Sequence, residues 1–331
     1  MQLNKNIKIF LNYFLGPLLF AWLGFSIYRQ ILAQAHLETS WLHIRKSFQS
    51  VKLFNVLIVT FLMVANWGIE AKKWQLSVAS IYHVNFIKAF KAILSGVAFS
   101  VTMPNRIGEY FGRMLYMPEG NRLKSISVTL VGSLSQLYVT IISGAIGFIF
   151  LKNQLIKHGI INDIVWRFAL AGFVFAIIVL TVIYFRIAII EKLFENRIKN
   201  SPYVYLIESL RTFNVQLLLR VMLLSFLRYL VFLVQYYLMF SLFDIALPFV
   251  IVWTVVSVLF LVLAIIPTIA LVEVGLRGEI SLRLMGMFTT NNLGISLASV
   301  SIWFINLVLP AIVGSILFLG IKVFNRKNER N

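Results

Sequence analysis

Long apolar runs dominate the chain, and most polar positions fall between them. A helix crossing a hydrocarbon core of about 30 Å needs about 20 mostly apolar residues. Seven runs qualify: roughly 9–28, 52–69, 125–151, 164–185, 217–240, 247–266 and 293–321. Two shorter apolar stretches are interrupted by proline, glycine and charge. The first, about 86–103, ends at Pro104; the second, about 267–288, contains Glu273, Arg277, Glu279 and Arg283. Broken backbone at membrane depth survives only where protein or a wet cavity satisfies its polar groups. Both stretches therefore read as re-entrant or discontinuous helices. Residues 29–51 and 186–216 mix apolar and charged positions and read as interfacial amphipathic helices. The pattern predicts an all-α, polytopic membrane helix bundle of about 7–8 transmembrane helices plus the broken ones. It forms one membrane domain over 1–323, followed by a basic tail over 324–331.

Composition strengthens this picture. Apolar residues make up 60% of the chain and charged residues 13%. Soluble domains usually show about 45–50% and about 25%. Cysteine is absent, which removes disulfides and thiolate metal sites. The net charge of +18 would suggest nucleic acid in a soluble protein. Here the basic residues sit between apolar runs, as the positive-inside bias and anionic lipid headgroups require. No nucleic-acid partner is expected. "AQA" at 33–35 resembles a signal-peptidase site, but the run 9–28 exceeds a typical h-region of about 7–15 residues, so an uncleaved first helix is expected.

Loop charge predicts a topology. With the N-terminus, 70–124, 186–220 and the tail on one side, that side holds 20 Lys and Arg; 29–52 and 152–167 hold 7. Both termini are then cytoplasmic. This arrangement requires one more crossing between 267 and 292, with the first charged stretch looping in and out.

The two broken stretches share a form. "GEYFGR" (108–113) and "GEISLR" (278–283) both read Gly, Glu, three residues, Arg. Pro104 and Pro267 should each end a helix. Gly108, Gly275 and Gly278 permit turns or close approach. Glu109 with Arg113, Glu279 with Arg283, and Glu273 with Arg277 are each spaced i, i+4 with the glutamate first, the favourable order. Exposed, such pairs only decorate a helix. At mid-bilayer a charge costs at least about 2.5–3.5 kcal/mol and usually faces a cavity. Two Gly/Pro-interrupted segments in corresponding halves point to a transporter-like site and allow an inverted repeat.

Arg106, Arg113, Arg277 and Arg283 supply donor forks that match phosphate. The glutamates would orient them. Arg228, midway along 217–240, is too deep to reach an interface and should face the bundle interior, as a buried tie or a phosphate contact. Asn66 and Glu70, one turn apart at the end of the second run, read as a helix-end cap or interface pair. The four histidines lack metal-ligand spacing, and no phosphate-cradling or hydrolase motif is present. No metal or cofactor is expected.

"PNRIGEYFGR" resembles a signature of the flippase-like membrane region of lysylphosphatidylglycerol synthases and their stand-alone relatives. Pro104, Arg106, Gly108, Glu109 and Arg113 match, while Asn105 stands where the family often has Gly. "IPTIALVEVGLRGEISL" resembles the second signature through Pro267, Gly275, Arg277 and Glu279; Gly278 separates an Arg and Glu that are commonly adjacent. "EAKKW" (70–74) resembles the family's ending to the second helix, with Lys73 and Trp74. The resemblance implies a lipid-handling domain of the bacterial cytoplasmic membrane, linked in the large synthases to translocation of the aminoacylated lipid. A separate soluble domain performs aminoacyl transfer there. Only "FNRKNERN" follows Val323, so that transfer is not expected of this chain.

The expected function is translocation or binding of a phospholipid, aminoacylated lipid or polyprenyl-linked glycolipid. Its phosphate headgroup would sit between the two broken helices, on Arg106, Glu109, Arg113, Arg228, Glu273, Arg277, Glu279 and Arg283. The alternative is a membrane-embedded transferase or accessory subunit for lipid-linked sugar or aminoacyl-lipid synthesis. Expected partners are anionic or phosphate-bearing lipids, and a second copy of the chain or a biosynthetic enzyme.

Overall fold

The computed structural model describes residues 53–101, 103, 107–186, 209–266 and 270–319, and within them every regular element is helical. The expected first span (9–28), the amphipathic stretch 29–51 and the tail lie outside the described residues, as do Pro104, Arg106 and Pro267. The chain runs α1 (Leu53–Val78), α2 (Phe86–Ser100), α3 (Gly108–Met114), α4 (Arg122–Phe150), α5 (Lys152–Lys157) and α6 (Asp163–Phe185). It continues α7 (Val215–Leu242), α8 (Phe249–Ile265), α9 (Ala270–Met285), α10 (Asn292–Trp303), a π-helical turn (Phe304–Val308) and α11 (Leu309–Leu319).

Five helical segments are long and apolar enough to cross a membrane: α1, α4, α6, α7, and α10 continued through α11. Two of them, α6 and α7, begin where the polar-to-apolar change and a side-chain cap coincide. Asn162 and Asn214 each accept a backbone N–H from the first turn, of Val165 and Leu217. α1 continues nine residues past the predicted end at 69, because Trp67, Ala71, Trp74 and Val78 keep one helical face buried. That continuation carries Glu70 and Lys73 into the interior.

Contacts between elements give the direction of each span. The Trp74 indole donates to Thr129, and the Lys73 ammonium to the Gly132 carbonyl, so α4 runs antiparallel to α1. Between them the chain makes a hairpin. Gln75 donates to the Val84 carbonyl just before α2, and α4 starts back at that same end of α1. The helices α2 and α3 thus enter from the Val78 end and return to it. They pack backbone to backbone: a β-carbon on Gly112 would run into the main chain of Gly96, and one on Gly108 into the Phe99 carbonyl.

A second hairpin enters from the other end. α8 starts just after Phe243, at the far end of α7. It climbs along α4, with Gly147 against Thr254 and Gly144 against Leu261, and ends beside Gln136 and Thr140 near the centre of α4. α9 then runs back, because Asn291, just beyond it, donates its side-chain amide to the Phe243 carbonyl. The extra crossing expected between 267 and 292 is therefore replaced by a hairpin that returns to its starting end. The run 247–266 contributes one limb of it rather than a full span. Gly275 and Gly278, expected at a turn, lie inside α9, where a β-carbon would meet open space at either position.

Packing follows the same division. One hydrophobic cluster gathers α2 with Trp67, Trp74, Val128, Leu218 and Leu307. The other gathers α8 with Val59, Phe148, Tyr236, Phe240 and Ile295. Each through-going inner span gives one half to each cluster, and the polar residues lie where the clusters meet.

Candidate functional site

Four spans carry a polar residue near their centre: Asn66 on α1, Gln136 on α4, Arg228 on α7 and Asn306 on the last span. The outermost helix α6, with only 6% of its apolar window buried, carries none there. Uncompensated, a mid-membrane charge costs several kcal/mol, on the order of 3 for Arg on insertion scales. The fold answers that cost with a buried network.

Glu70 is its hub. One carboxylate oxygen accepts from Arg113 Nη1 at 2.9 Å. The other accepts from Arg228 Nη1 at 2.5 Å and from the Lys73 ammonium at 2.6 Å. Arg113 gives Nη2 to Glu109 at 2.6 Å, the i, i+4 pair of the first signature. Arg228 gives Nε to the Asn66 side-chain oxygen at 2.7 Å and stacks 5.1 Å from the Trp67 ring. Lys73 also reaches the Ser225 hydroxyl at 3.4 Å. The network ties α1, hairpin residue Arg113 and α7 together. Among the described residues it holds three basic side chains, Lys73, Arg113 and Arg228, against two acidic ones, Glu70 and Glu109. With all five ionised it carries an excess positive charge.

Beside this network lies a cavity of about 600 Å³. Gln136, Thr140, Arg228, Phe232, Trp303 and Asn306 form part of its wall, and the tip of α8 with Glu273 and Arg277 of α9 lines another side. Arg277 gives Nη1 to the Tyr236 hydroxyl and Nη2 to Glu273, both at 2.6 Å, and stacks 5.8 Å from the Phe260 ring. Arg228 uses Nε and Nη1 on protein; no acceptor among the described residues takes Nη2. Four more polar atoms on residues of this wall lack a partner among the described residues: Gln136 Oε1, Arg277 Nε, Trp303 Nε1 and Asn306 Oδ1. Asn306 sits in the π-helical turn, a feature frequent at functional sites, and its main-chain carbonyl accepts from the Trp67 indole at 3.2 Å.

The candidate residues named from sequence divide clearly. Arg228, Glu273 and Arg277 line the cavity. Arg113 and Glu109 stand one step behind, joined to it through Glu70 and Arg228. Glu279 and Arg283 pair with each other at 2.7 Å with side chains 56% and 70% exposed, away from the cavity. The resemblance between "GEYFGR" and "GEISLR" therefore pairs two unlike places; the buried counterpart of Glu109–Arg113 is Glu273–Arg277. Arg106 lies outside the described residues.

Sequence reading missed Glu70 as the hub and Gln136, Trp303 and Asn306 as wall residues. The available signal for Gln136 and Asn306 was position: each of the four inner spans has an amide or guanidinium side chain at its centre.

The sequence pattern of the lysylphosphatidylglycerol synthase TM region matches residues 9–314. The chain belongs to that family. It is thus a multi-pass membrane protein of a family linked to lipid biosynthesis or translocation. Comparison with curated proteins and with solved structures gave no match. Both signatures that carry the resemblance fall on the two hairpins, and "EAKKW" contributes Glu70, Lys73 and Trp74 to the network and its packing.

Proposed function

We propose that this chain is a lipid translocase: it takes the phosphate-bearing headgroup of a membrane lipid into the central cavity and passes it between leaflets. One observation carries the reading. Two hairpins enter from opposite ends: the second lines a polar cavity, and the first, through Arg113, is tied into the buried network beside it, where Arg228 keeps an uncommitted guanidinium nitrogen next to an excess of positive charge. A phosphate oxygen is a strong acceptor for that nitrogen. Glu70 and Asn66 hold Arg228 in place, and Arg277, fixed by Tyr236 and Glu273, supplies a second positive group across the cavity. The headgroup replaces lost water contacts with these donors, while its tails stay in the apolar phase.

Charge distribution supports a setting in the bacterial cytoplasmic membrane with the Val78 end cytoplasmic. The segments assigned to that side hold 20 Lys and Arg, or 18 without the buried Lys73 and Arg113, against 7 on the other.

The test uses purified protein in sealed liposomes with a fluorescent phosphatidylglycerol in one leaflet and no biosynthetic donor. Transfer to the other leaflet is expected, and Arg228→Ala or Arg277→Ala should abolish it. Absence of transfer by the native chain, with product formed once a donor is added, would replace this reading by the transferase alternative.

A further inference from the structure

Tyr229 belongs to two cavities at once. One face borders the polar cavity; the other borders an apolar groove of about 500 Å³ between α4 and α7. Two of the groove's walls are built by helical spacing, and Phe249 and Trp253 of α8 form a third side. Tyr138, Ile142 and Ile146 follow each other at i, i+4, i+8 on α4. Phe226, Leu230 and Leu233 form the facing stripe on α7, which Met222 extends. From Met222 to Leu233 the groove spans about 16 Å at 1.5 Å per residue. That is about half of a hydrocarbon core of about 30 Å, the depth of one leaflet's chains. Phe226 is 43% and Leu230 37% exposed, so this part of the α7 stripe is open to the surrounding phase, while Leu233 is buried at its inner end.

Arg228 and Tyr229 are sequence neighbours about 100° apart on α7, which puts the cation on the cavity side and the ring at the divide. The Tyr229 hydroxyl is latched by the Ser257 hydroxyl and by the Trp253 indole, which donates at 3.0 Å. Both latch residues are on α8, a limb of the second hairpin.

We infer that this groove is an acyl-chain site for the same lipid whose headgroup occupies the cavity, with Tyr229 as the partition the lipid straddles. The inference rests on the proposed headgroup site and adds the route: the lipid enters sideways between α4 and α7. The occupant follows from continuity. A polar compartment with a cation and an apolar slot one leaflet deep share a single wall residue, and an amphiphile fills both.

The experiment uses the full chain in phosphatidylcholine nanodiscs with two probes. One is a phosphatidylglycerol carrying a diazirine near the end of one acyl chain; the other is a diacylglycerol with the same chain and no phosphate. After illumination, the phosphatidylglycerol probe should label peptides holding Ile142 and Phe226. Arg228→Ala should reduce that labelling by about tenfold, the loss expected for one charge-assisted contact. Leu230→Trp, which fills the slot without touching the cavity, should reduce it similarly and guards against misfolding of the arginine variant. Equal labelling by the diacylglycerol, or labelling unchanged by Arg228→Ala, would mean bulk lipid contact and overturn the inference. Native mass spectrometry separates the two levels. Retained phosphatidylglycerol with an unlabelled groove defeats the acyl-chain site alone; no retained phosphatidylglycerol defeats the headgroup site as well.

Discussion

The two hairpins solve one problem with different materials. The first, α2–α3, is fitted by glycine: Gly96, Gly108 and Gly112 let two backbones touch, and Gly314 on α11 receives Leu94 of α2 just as closely. Its charged pair, Glu109–Arg113, is bound into the Glu70 network and has no surface on the cavity. The second, α8–α9, has no glycine at its own close contacts: bulky residues such as Leu261 and Val258 on α8 seat against Gly144 and Gly147 of α4, and its charged pair Glu273–Arg277 faces the cavity directly. The first hairpin is thus built as a fixed anchor and the second as a working wall. Equal topology does not imply equal roles.

The sharpest contrast is between buried Glu70 and half-buried Glu273. Glu70→Gln leaves Arg113, Arg228 and Lys73 competing for one neutral amide. Removing one partner from a buried pair costs about 3–5 kcal/mol, so this variant should lose most of its thermal stability in detergent, followed by tryptophan fluorescence. Glu273→Gln removes one partner of Arg277, which keeps Tyr236, and should cost about 1–3 kcal/mol. A larger loss for Glu273→Gln would invert the assignment of anchor and wall.

Glycine substitutions should split by sign. Gly112→Ala forces its new carbon into the Gly96 main chain and should destabilise by about 1–3 kcal/mol. Gly275→Ala meets open space in a helix interior and should stabilise by up to about 1 kcal/mol. The same melting experiment reads both. Smallest of all, Glu279→Ala and Arg283→Ala break an exposed pair, and each should change stability by less than about 0.5 kcal/mol and leave lipid transfer intact.

Much of this architecture was visible in the chain. Apolar run length located all five described spans, and Pro104 and Pro267 marked both breaks, with α2 ending at Ser100 and α8 at Ile265. Direction was not visible. A 17-residue apolar helix such as α8 is nearly long enough to cross, and only its contacts with α4 and the return of α9 to Phe243 show that it stops at the centre. The site was legible in part. Arg228 stood out because an arginine deep in an apolar run needs a partner. Glu70 did not, because it falls where hydropathy declines and resembles a helix-end residue. Its three cations come from α1, α3 and α7, a convergence that no local pattern encodes.

The central claim is that two hairpins enter from opposite ends of the membrane and each returns to its own. The chain has no cysteine, so single cysteines report location without background. His83 and Glu119 flank the first hairpin, Ala246 and Thr290 the second, and all four are exposed. Each is replaced by cysteine in turn and treated with a membrane-impermeant maleimide in sealed, uniformly oriented vesicles. His83→Cys and Glu119→Cys should label from one side only, and Ala246→Cys and Thr290→Cys from the other only. Labelling of Ala246→Cys and Thr290→Cys from opposite sides would mean that α8–α9 crosses the membrane, and would contradict the account.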